Sequence, residues 1–243
     1  RRRMQYQGGK SRIARQLAEK IRELHPTTTE IWEPFCGGGA MTLALAKVGF
    51  RVHASDNHED LILMWQALLR GETEPFADVT QEEHSLLKKA PSSARRGFVR
   101  FGSSFGGDFN GGFAFRRIAA GKLAKHQPFQ EARNSLLRIR DLAVSFELRD
   151  YTHIPSNVLV YADPPYLGTY DYQGRTFDHS AFWQWVRARV GPIFVSELIG
   201  PEDLSIVWRR EHKSQMVSNV AKTEGKVIHR EERLYYKPPS ALL

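Results

Sequence analysis

Residues 158–166 constrain this chain more than any other part of its sequence. Their first five side chains, Val-Leu-Val-Tyr-Ala, form a short apolar run, which favours a buried strand. Pro164 and Pro165 then stop both strand and helix, because proline has a fixed φ and no amide hydrogen. Asp163 and Tyr166 flank the prolines. We therefore expect a carboxylate and an aromatic ring at the carboxyl end of a buried strand, where open α/β sheets bind their ligands.

This tetrapeptide suits the binding of an amino-bearing base. Asp163 and the carbonyl oxygen of Pro164 are two acceptors on a rigid backbone, and together they can accept both hydrogens of an exocyclic amine. The ring of Tyr166 offers a face on which a flat base can stack. An ordinary Pro-Pro turn with a surface aspartate would have the same local sequence, so other parts of the chain must decide between the two.

The composition favours a globular protein that works outside a membrane. The 243 residues, 41% of them hydrophobic, suffice for one large domain with a substantial core. No run approaches the roughly 18 apolar residues of a membrane span, and no signal peptide follows the first arginines. The single cysteine, Cys36, excludes an internal disulfide and a cysteine-based zinc cluster, and the nine histidines show no metal-ligand spacing. We expect a cytosolic protein without a metal.

The net charge of +8 comes from one part of the chain. Residues 79–140 hold twelve lysines and arginines against four acids, whereas the 23 basic and 23 acidic residues elsewhere balance. A local basic excess is typical of a surface that binds a polyanion, usually nucleic acid. A basic surface that is merely solvated would have the same composition.

Two glycine-rich turns precede helical patterns in the first quarter of the chain. Residues 6–10, Tyr-Gln-Gly-Gly-Lys, lead into apolar residues at helical spacing. Residues 33–39, Glu-Pro-Phe-Cys-Gly-Gly-Gly, lie between a predicted strand and a predicted helix at residues 41–48, and a second predicted strand ends in Asp56. This order of strand, glycine turn, helix, strand and acid outlines a nucleotide-binding βαβ unit in which the acid holds ribose hydroxyls.

The alternation of strands and helices stops at residue 71 and resumes near residue 151. Predicted helices at residues 80–90 and 130–142 flank a stretch rich in glycine and phenylalanine, residues 98–117. We predict an inserted domain in which glycine, phenylalanine and arginine suit backbone contact, base stacking and phosphate binding. A small loop-rich core would also use these phenylalanines.

The last third of the chain returns to strands and helices. We predict a polar loop at residues 167–178 that covers the site, a helix at residues 181–190 and a buried strand at residues 192–197. Residues 206–215 and 231–237 have alternating patterns, which predict an antiparallel pair on the sheet edge.

The motifs, in their order, resemble those of the Dam-type DNA adenine-N6 methyltransferases. The resemblance rests on residues 6–10, 33–40, 56–57, 163–166 and 232–235, spans nearly the whole chain and is weakest in the insertion. It implies an α/β fold of the Rossmann-like methyltransferase type, with a mixed seven-stranded sheet, helices on both faces and an inserted, mainly helical recognition domain. Residues 1–70 and 150–243 would form the catalytic domain, and residues 71–149 the DNA-recognition domain.

The resemblance also implies an activity and a set of site residues. The chain would transfer a methyl group from S-adenosyl-L-methionine to N6 of an adenine flipped out of double-stranded DNA. The implied catalytic residues are Asp163, Pro164, Pro165 and Tyr166. The implied cofactor-binding residues are Tyr6, Gly8, Gly9, Lys10, Glu33, Pro34, Phe35, Cys36, Gly37, Gly39, Asp56, Asn57, Asp150, Tyr151 and Asp163. The expected DNA contacts are Lys88, Lys89, Arg95, Arg96, Arg100, Asn110, Arg116, Arg117, Lys122, Tyr170 and Tyr172.

By the same resemblance we expect a monomer or weak dimer in the bacterial cytoplasm, associated with the nucleoid or encoded by a phage. Two other functions remain open from the sequence. A methyltransferase of another amino group, on cytosine N4, RNA adenine or protein glutamine, would use the same tetrapeptide chemistry. A catalytically silent DNA-binding relative is the second alternative, and the intact Asp163 and glycine turn argue against it.

Overall fold

The structure is a computed structural model that describes residues 10–115, 127–166, 177–214 and 228–240. The chain divides into two compact units, Arg1–Ile154 and Pro155–Leu243. Within the described ranges, no helix is both long and apolar enough to cross a membrane.

The first unit is built on three parallel strands. They are β1 (Glu30–Glu33), β2 (Arg51–Asp56) and β3 (Val144–Leu148), with β2 in the middle. The helices α1 (Ala14–Leu24), α2 (Ala40–Lys47) and α3 (Glu59–Leu69) accompany them. The buried residues of α1 are Ala14, Leu17, Ala18 and Ile21, which form one apolar stripe at helical spacing. The predicted strand–turn–helix–strand order of the βαβ unit is therefore confirmed.

Between α3 and β3, the described residues (70–115 and 127–143) include three further α-helices. They are α4 (Gln81–Leu87), α5 (Ala94–Ser103) and α6 (Pro128–Leu136), and this part of the segment is helical as predicted. Side chains at the helix starts explain two of the boundaries, since Thr80 accepts a bond from Glu83 N–H and Ser93 accepts one from Arg96 N–H. The predicted helices were too long, because tight turns with i→i+3 bonds follow α4 and α6, as where Ile139 N–H donates to Leu136 O.

The phenylalanines of this segment mainly form a core. Phe98, Phe101 and Phe109 are buried, and α5 lies so close to α3 that a Cβ on Gly97 would be 2.1 Å from the backbone oxygen of Asp60. These three rings therefore belong to a small core, the alternative to nucleic-acid stacking that the sequence left open. Phe105 differs, because it remains 56% exposed.

Strand β3 corrects the predicted end of the insertion. The insertion was expected to extend to residue 149, but residues 144–148 pair in parallel with residues 52–56 of β2. The sheet thus resumes at residue 144, and we revise the predicted end of the insertion to residue 143. The sequence obscured β3 because only Phe146 among its five side chains is buried, which leaves little apolar signal.

The second unit contains β4 (Val160–Ala162), α7 (His179–Ala188), β5 (Ile193–Glu197), β6 (Ser205–Ser214) and β7 (Ile228–Lys237). Strands β4 and β5 are parallel, β7 is antiparallel to β5, and β6 is antiparallel to β7. The predicted antiparallel pair is confirmed. Only β6 lies at the edge, however, because β7 is inserted between β5 and β6.

The seven strands have the order β3-β2-β1-β4-β5-β7-β6, and β7 is the antiparallel member. A parallel doubly wound sheet extended by one antiparallel strand near its edge is the Rossmann-like methyltransferase fold. The predicted fold class is therefore confirmed. Whether the insertion recognises DNA remains a prediction.

Candidate functional site

The glycine turn after β1 is tied to the end of β2 by two hydrogen bonds. Cys36 N–H donates to Ser55 O at 3.0 Å, and Gly37 N–H donates to Asp56 Oδ2 at 3.1 Å. Gly39 has a φ of +69°, and a Cβ at this position would lie 2.8 Å from Cζ2 of the buried Trp65. Only glycine satisfies both constraints, so the glycine at position 39 has a local structural cause.

Asp56 is the buried acid that the βαβ pattern predicted. Its side chain is 7% exposed, and Oδ1 accepts a bond from His58 N–H at 3.1 Å while Oδ2 binds Gly37. Burial raises the pKa of the Asp56 carboxyl to about 6, although the backbone N–H groups of Gly37, His58 and Asn57 oppose that rise. A carboxylate oxygen with one such bond retains a lone pair, so this group can still accept bonds from the hydroxyls of a ribose.

An aromatic pair lies in the same unit. The rings of Phe35 and Tyr151 stack with centroids 5.5 Å apart and planes inclined by 29°, and both side chains are half-buried. Asp150 holds the turn that carries Tyr151, since its Oδ1 accepts bonds from Thr152 N–H and Thr152 Oγ1. A half-exposed aromatic surface of this kind suits a flat adenine ring.

The remaining predicted cofactor residues of this unit are mostly buried. Thr42 Oγ1 donates to Glu33 Oε2 at 2.6 Å, which ties the end of β1 to α2. Lys10 is also buried. Burial raises the pKa of the Cys36 thiol, so this side chain stays neutral and packs in the core. Among the described residues, no group of three or more His, Cys, Asp or Glu side chains has a geometry that could hold a metal ion.

The proline tetrapeptide directly follows β4 in the second unit. All three residues of β4 are buried, and the hydroxyl groups of Tyr161 and Ser196 form a 2.9 Å hydrogen bond that links β4 to β5. Asp163 is half-buried and Pro164 is buried. The predicted backbone arrangement, a buried strand followed by the acid and the two prolines, is therefore present.

Tyr166 has a partner that the sequence did not reveal. Its hydroxyl donates a hydrogen bond to Oε1 of Glu232, a buried residue on β7. Burial, followed by the charges of Asp163 and Glu232, raises the pKa of the Tyr166 hydroxyl far above its ordinary value. The hydroxyl therefore remains a proton donor at any pH at which the protein works.

Two arginines predicted to bind DNA have structural partners instead. The five N–H groups of Arg95 donate to both carboxylate oxygens of Glu83 and to the backbone oxygens of residues 75, 77 and 78. Arg96 forms an ion pair with the buried Asp60 and donates to backbone oxygens of residues 87 and 88. Removing Arg96 would leave the buried charge of Asp60 uncompensated, whereas the N–H groups of Arg95 are all bonded within the protein. We therefore propose that Arg95 and Arg96 have structural roles and do not contact DNA.

Other predicted contacts remain accessible. Lys88, Lys89 and Asn110 are exposed, and Arg100 is half-buried with its guanidinium 5.5 Å from the ring centre of Phe101. The predicted site residues Tyr6, Gly8, Gly9, Arg116, Arg117, Lys122, Tyr170 and Tyr172 lie outside the described residues, as does most of the predicted cover loop.

Residues 103–114 form a closed loop on the insertion. Ser104 and Phe113 pair in an antiparallel bridge, and Phe105 N–H donates to Gly112 O at 3.1 Å. The exposed Phe105 and Asn110 both lie within the closed loop. The glycine-rich sequence thus yields an ordered loop that presents one aromatic ring and one amide to solvent.

The sheet order, the glycine turn with its buried acid and the proline tetrapeptide define an S-adenosylmethionine-dependent methyltransferase. Residues 6–117 match the family model of the D12 class N6 adenine-specific DNA methyltransferases. This match covers slightly less than half of the chain, and it confirms the predicted resemblance to the Dam-type enzymes over that part. No protein with a curated description matches the chain.

Solved methyltransferase structures are similar at low identity. A proposed RNA methyltransferase from Pyrococcus horikoshii is 11% identical over 94% of this chain and 84% of its own, with a TM-score of 0.43. Magnesium protoporphyrin IX methyltransferase from Synechocystis PCC 6803, with bound S-adenosylmethionine, is 9% identical over 93% and 79%, with a TM-score of 0.41. Because both scores are below 0.5, the fold assignment rests on the sheet order of this chain.

We predict that Asp56 makes the protein less stable as the pH rises from about 4 to about 7. Its pKa is raised from 3.8 to about 6 in the folded state, so the stabilising contribution is full below pH 3.8 and is lost as the pH rises through about 6. A shift of about two units corresponds to about 3 kcal/mol. Urea unfolding of the wild type and Asp56→Asn from pH 4 to 7 should show the wild type losing about that much relative to the variant.

Asp203→Asn is the matched control for this measurement. The Arg187 guanidinium bonds to the exposed Asp203 carboxyl and lowers its pKa below the ordinary 3.8, so this contribution to stability is lost only at lower pH. From pH 4 to 7 the difference in stability between the wild type and this variant should therefore change little. If the difference between the wild type and Asp56→Asn does not change with pH, Asp56 is not the buried acid described here.

Proposed function

We propose that this protein methylates N6 of adenine in double-stranded DNA. The observation that carries the proposal is the tetrapeptide of residues 163–166 at the carboxyl end of the buried strand β4. The match of residues 6–117 to an adenine-specific DNA methyltransferase family supports the same substrate.

The first unit has residues that fit the methyl donor. S-adenosylmethionine, when bound, supplies a methyl group on a sulfonium, which is already a good electrophile. Asp56 would accept bonds from its ribose hydroxyls, because this buried carboxylate lies at the end of β2 and retains acceptor capacity. Phe35 and Tyr151 would pack against its adenine ring, and Lys10 would meet its carboxylate.

The second unit has residues that fit the methyl acceptor. The lone pair of adenine N6 is delocalised into the ring, which makes the amine a poor nucleophile. Asp163 and the Pro164 carbonyl would accept the two N6 hydrogens and so localise the lone pair toward the methyl group. The reaction then needs no covalent enzyme intermediate, and alignment and charge placement account for most of the catalysis.

A base inside a duplex cannot reach such a pair of acceptors. The target adenine must therefore rotate out of the helix, and the ring of Tyr166 would stack on it. The energy of unstacking has to come from contacts to the rest of the DNA, which the phosphate backbone supplies most strongly.

The insertion, residues 71–143, is the proposed DNA-recognition segment. Residues 79–140 within it contain the whole basic excess of the chain, and Lys88, Lys89, Phe105 and Asn110 are exposed on it. Lysines would bind phosphates, whereas the ring and amide of the closed loop suit stacking and base contact. Arg95 and Arg96 would stabilise this surface indirectly, because both lie on α5 and bond to residues of α4.

The alternatives are a methyltransferase of cytosine N4, RNA adenine or protein glutamine, and a catalytically silent DNA-binding relative. The family match and the basic insertion favour adenine in DNA over the other methyl acceptors. The tetrapeptide and the glycine turn are both intact in the sequence, which favours catalysis over silent binding. The atom of the product that carries the new methyl group distinguishes the enzymatic alternatives from one another.

We predict that Asp163→Ala separates catalysis from binding. Removing one preorganised acceptor should slow single-turnover transfer of labelled methyl to unmethylated genomic DNA by a factor of about 100 to 1,000. DNA affinity should stay within a few-fold, because phosphate contacts provide most of it. Asp163→Asn keeps one acceptor oxygen, so its rate of methyl transfer should lie between those of the wild type and Asp163→Ala. Near-normal transfer by Asp163→Ala would contradict the catalytic assignment.

We predict that charge reversal in the insertion weakens DNA binding without affecting the donor site. Arg116→Glu/Arg117→Glu should lower DNA affinity by more than about tenfold and reduce its salt dependence. Calorimetry should show unchanged binding of S-adenosylhomocysteine. Arg15→Glu/Lys47→Glu reverses two exposed cations outside the insertion and serves as the control. If both double variants bind DNA equally well, the DNA surface lies elsewhere.

A further inference from the structure

Glu232 is a buried carboxylate that the reaction outlined above does not use. It is 6% exposed and lies on β7, which pairs with β5 on one side and β6 on the other. Its neighbours Glu231 and Arg233 bind each other, and alternation along the strand directs Glu232 to the opposite face. A carboxylate in the interior of a sheet is costly unless it forms hydrogen bonds, so its presence needs a cause.

The hydroxyl of Tyr166 supplies one such bond, across 66 residues of sequence. The two prolines before Tyr166 fix the backbone but leave the χ1 and χ2 torsions of the tyrosine undetermined. The ring is half-buried, so packing surrounds it only in part. A hydrogen bond at the far end of the side chain restrains χ1, because rotation about χ1 moves the hydroxyl away from Glu232. Rotation about χ2 leaves the hydroxyl oxygen on its axis, but a phenolic O–H prefers to lie in the plane of its ring. An acceptor in a fixed position therefore restrains χ2 as well.

We propose that Glu232 is a positioning residue that holds the ring of Tyr166 in the orientation that stacks on the methyl-accepting base. This inference rests on the proposed function. It also assigns a role to the Glu-Arg-Leu-Tyr sequence near the end of the chain, which the resemblance singled out without explaining. Because the hydroxyl is directed to Glu232, the ring face is the part of Tyr166 that the base contacts.

The electrostatic surroundings maintain this bond. Burial, Asp163 and Glu232 together raise the pKa of the Tyr166 hydroxyl, so it keeps its proton and remains the donor. A carboxylate accepts shorter and stronger hydrogen bonds than a neutral oxygen, so a glutamate side chain suits this role.

A double-mutant cycle tests the proposal. Glu232→Ala and Tyr166→Phe should each slow single-turnover methyl transfer to unmethylated genomic DNA by about tenfold, because each leaves the ring unrestrained. The double variant should be no slower than Tyr166→Phe, since the two changes remove the same bond. Glu232→Gln keeps an acceptor oxygen and should restore the rate to within about threefold of the wild type. Glu211→Ala removes an exposed glutamate on the neighbouring β6 and is the matched control.

A spectroscopic measurement separates positioning from a general loss of structure. The ultraviolet resonance Raman difference between the wild type and Tyr166→Phe isolates the signal of Tyr166, whose ring doublet reports the strength of hydrogen-bond donation. The signal should indicate a strong donor in the wild type and a weaker one in Glu232→Gln. Because Glu232→Gln preserves the side-chain volume, this measurement remains possible if Glu232→Ala does not fold.

The outcomes are distinct. Additive losses in the cycle, or a Tyr166 signal unaffected by Glu232→Gln, would overturn the positioning role while wild-type activity remains. A wild type that methylates no nucleic acid would overturn the proposed function and, with it, this inference. Non-additive losses together with a changed Tyr166 signal would support both.

Discussion

The chain's proposed chemistry depends on a backbone constraint, the two prolines that follow a fully buried strand. Val160–Ala162 are inaccessible, so the strand cannot shift, and Pro164 and Pro165 set the direction in which the chain leaves it. The backbone, and with it the Pro164 carbonyl, is thereby oriented before any substrate arrives, and such preorganisation is a condition for electrostatic catalysis. The bond from Tyr166 to Glu232 extends the same principle from the backbone to a side chain.

The proposed donor site of the first unit also contains a constrained acid, Asp56. Asp56 is held by backbone N–H groups at the turn and at the start of α3, and its raised pKa shows that burial outweighs these bonds. Buried acids with raised pKa values are concentrated at ligand and catalytic sites, which supports the proposed role of Asp56 in binding the methyl donor. The buried Asp60 is different, because Arg96 compensates it and the pair holds α3 against α5.

Much of this architecture could be predicted because its signals are local. The glycine turn, Asp56 and the proline tetrapeptide each combine strand, turn and functional residue within a few positions. Features that depend on distant partners could not be predicted. Charge counting assigned Arg95 and Arg96 to DNA because it could not recognise that Glu83 and Asp60, 12 and 36 residues away, bind them. The role of Glu232 and the strand β3 were hidden for the same reason, since each depends on a distant contact in the folded chain.

The most direct test of adenine methylation is single-molecule sequencing of DNA from cells that express the protein, which maps modified bases at every position of the genome, whatever the target sequence is. The proposed function predicts N6-methyladenine at one short, recurrent sequence, absent from cells without the gene. Modified cytosine, or DNA with no modified base from cells that contain folded protein, would contradict it.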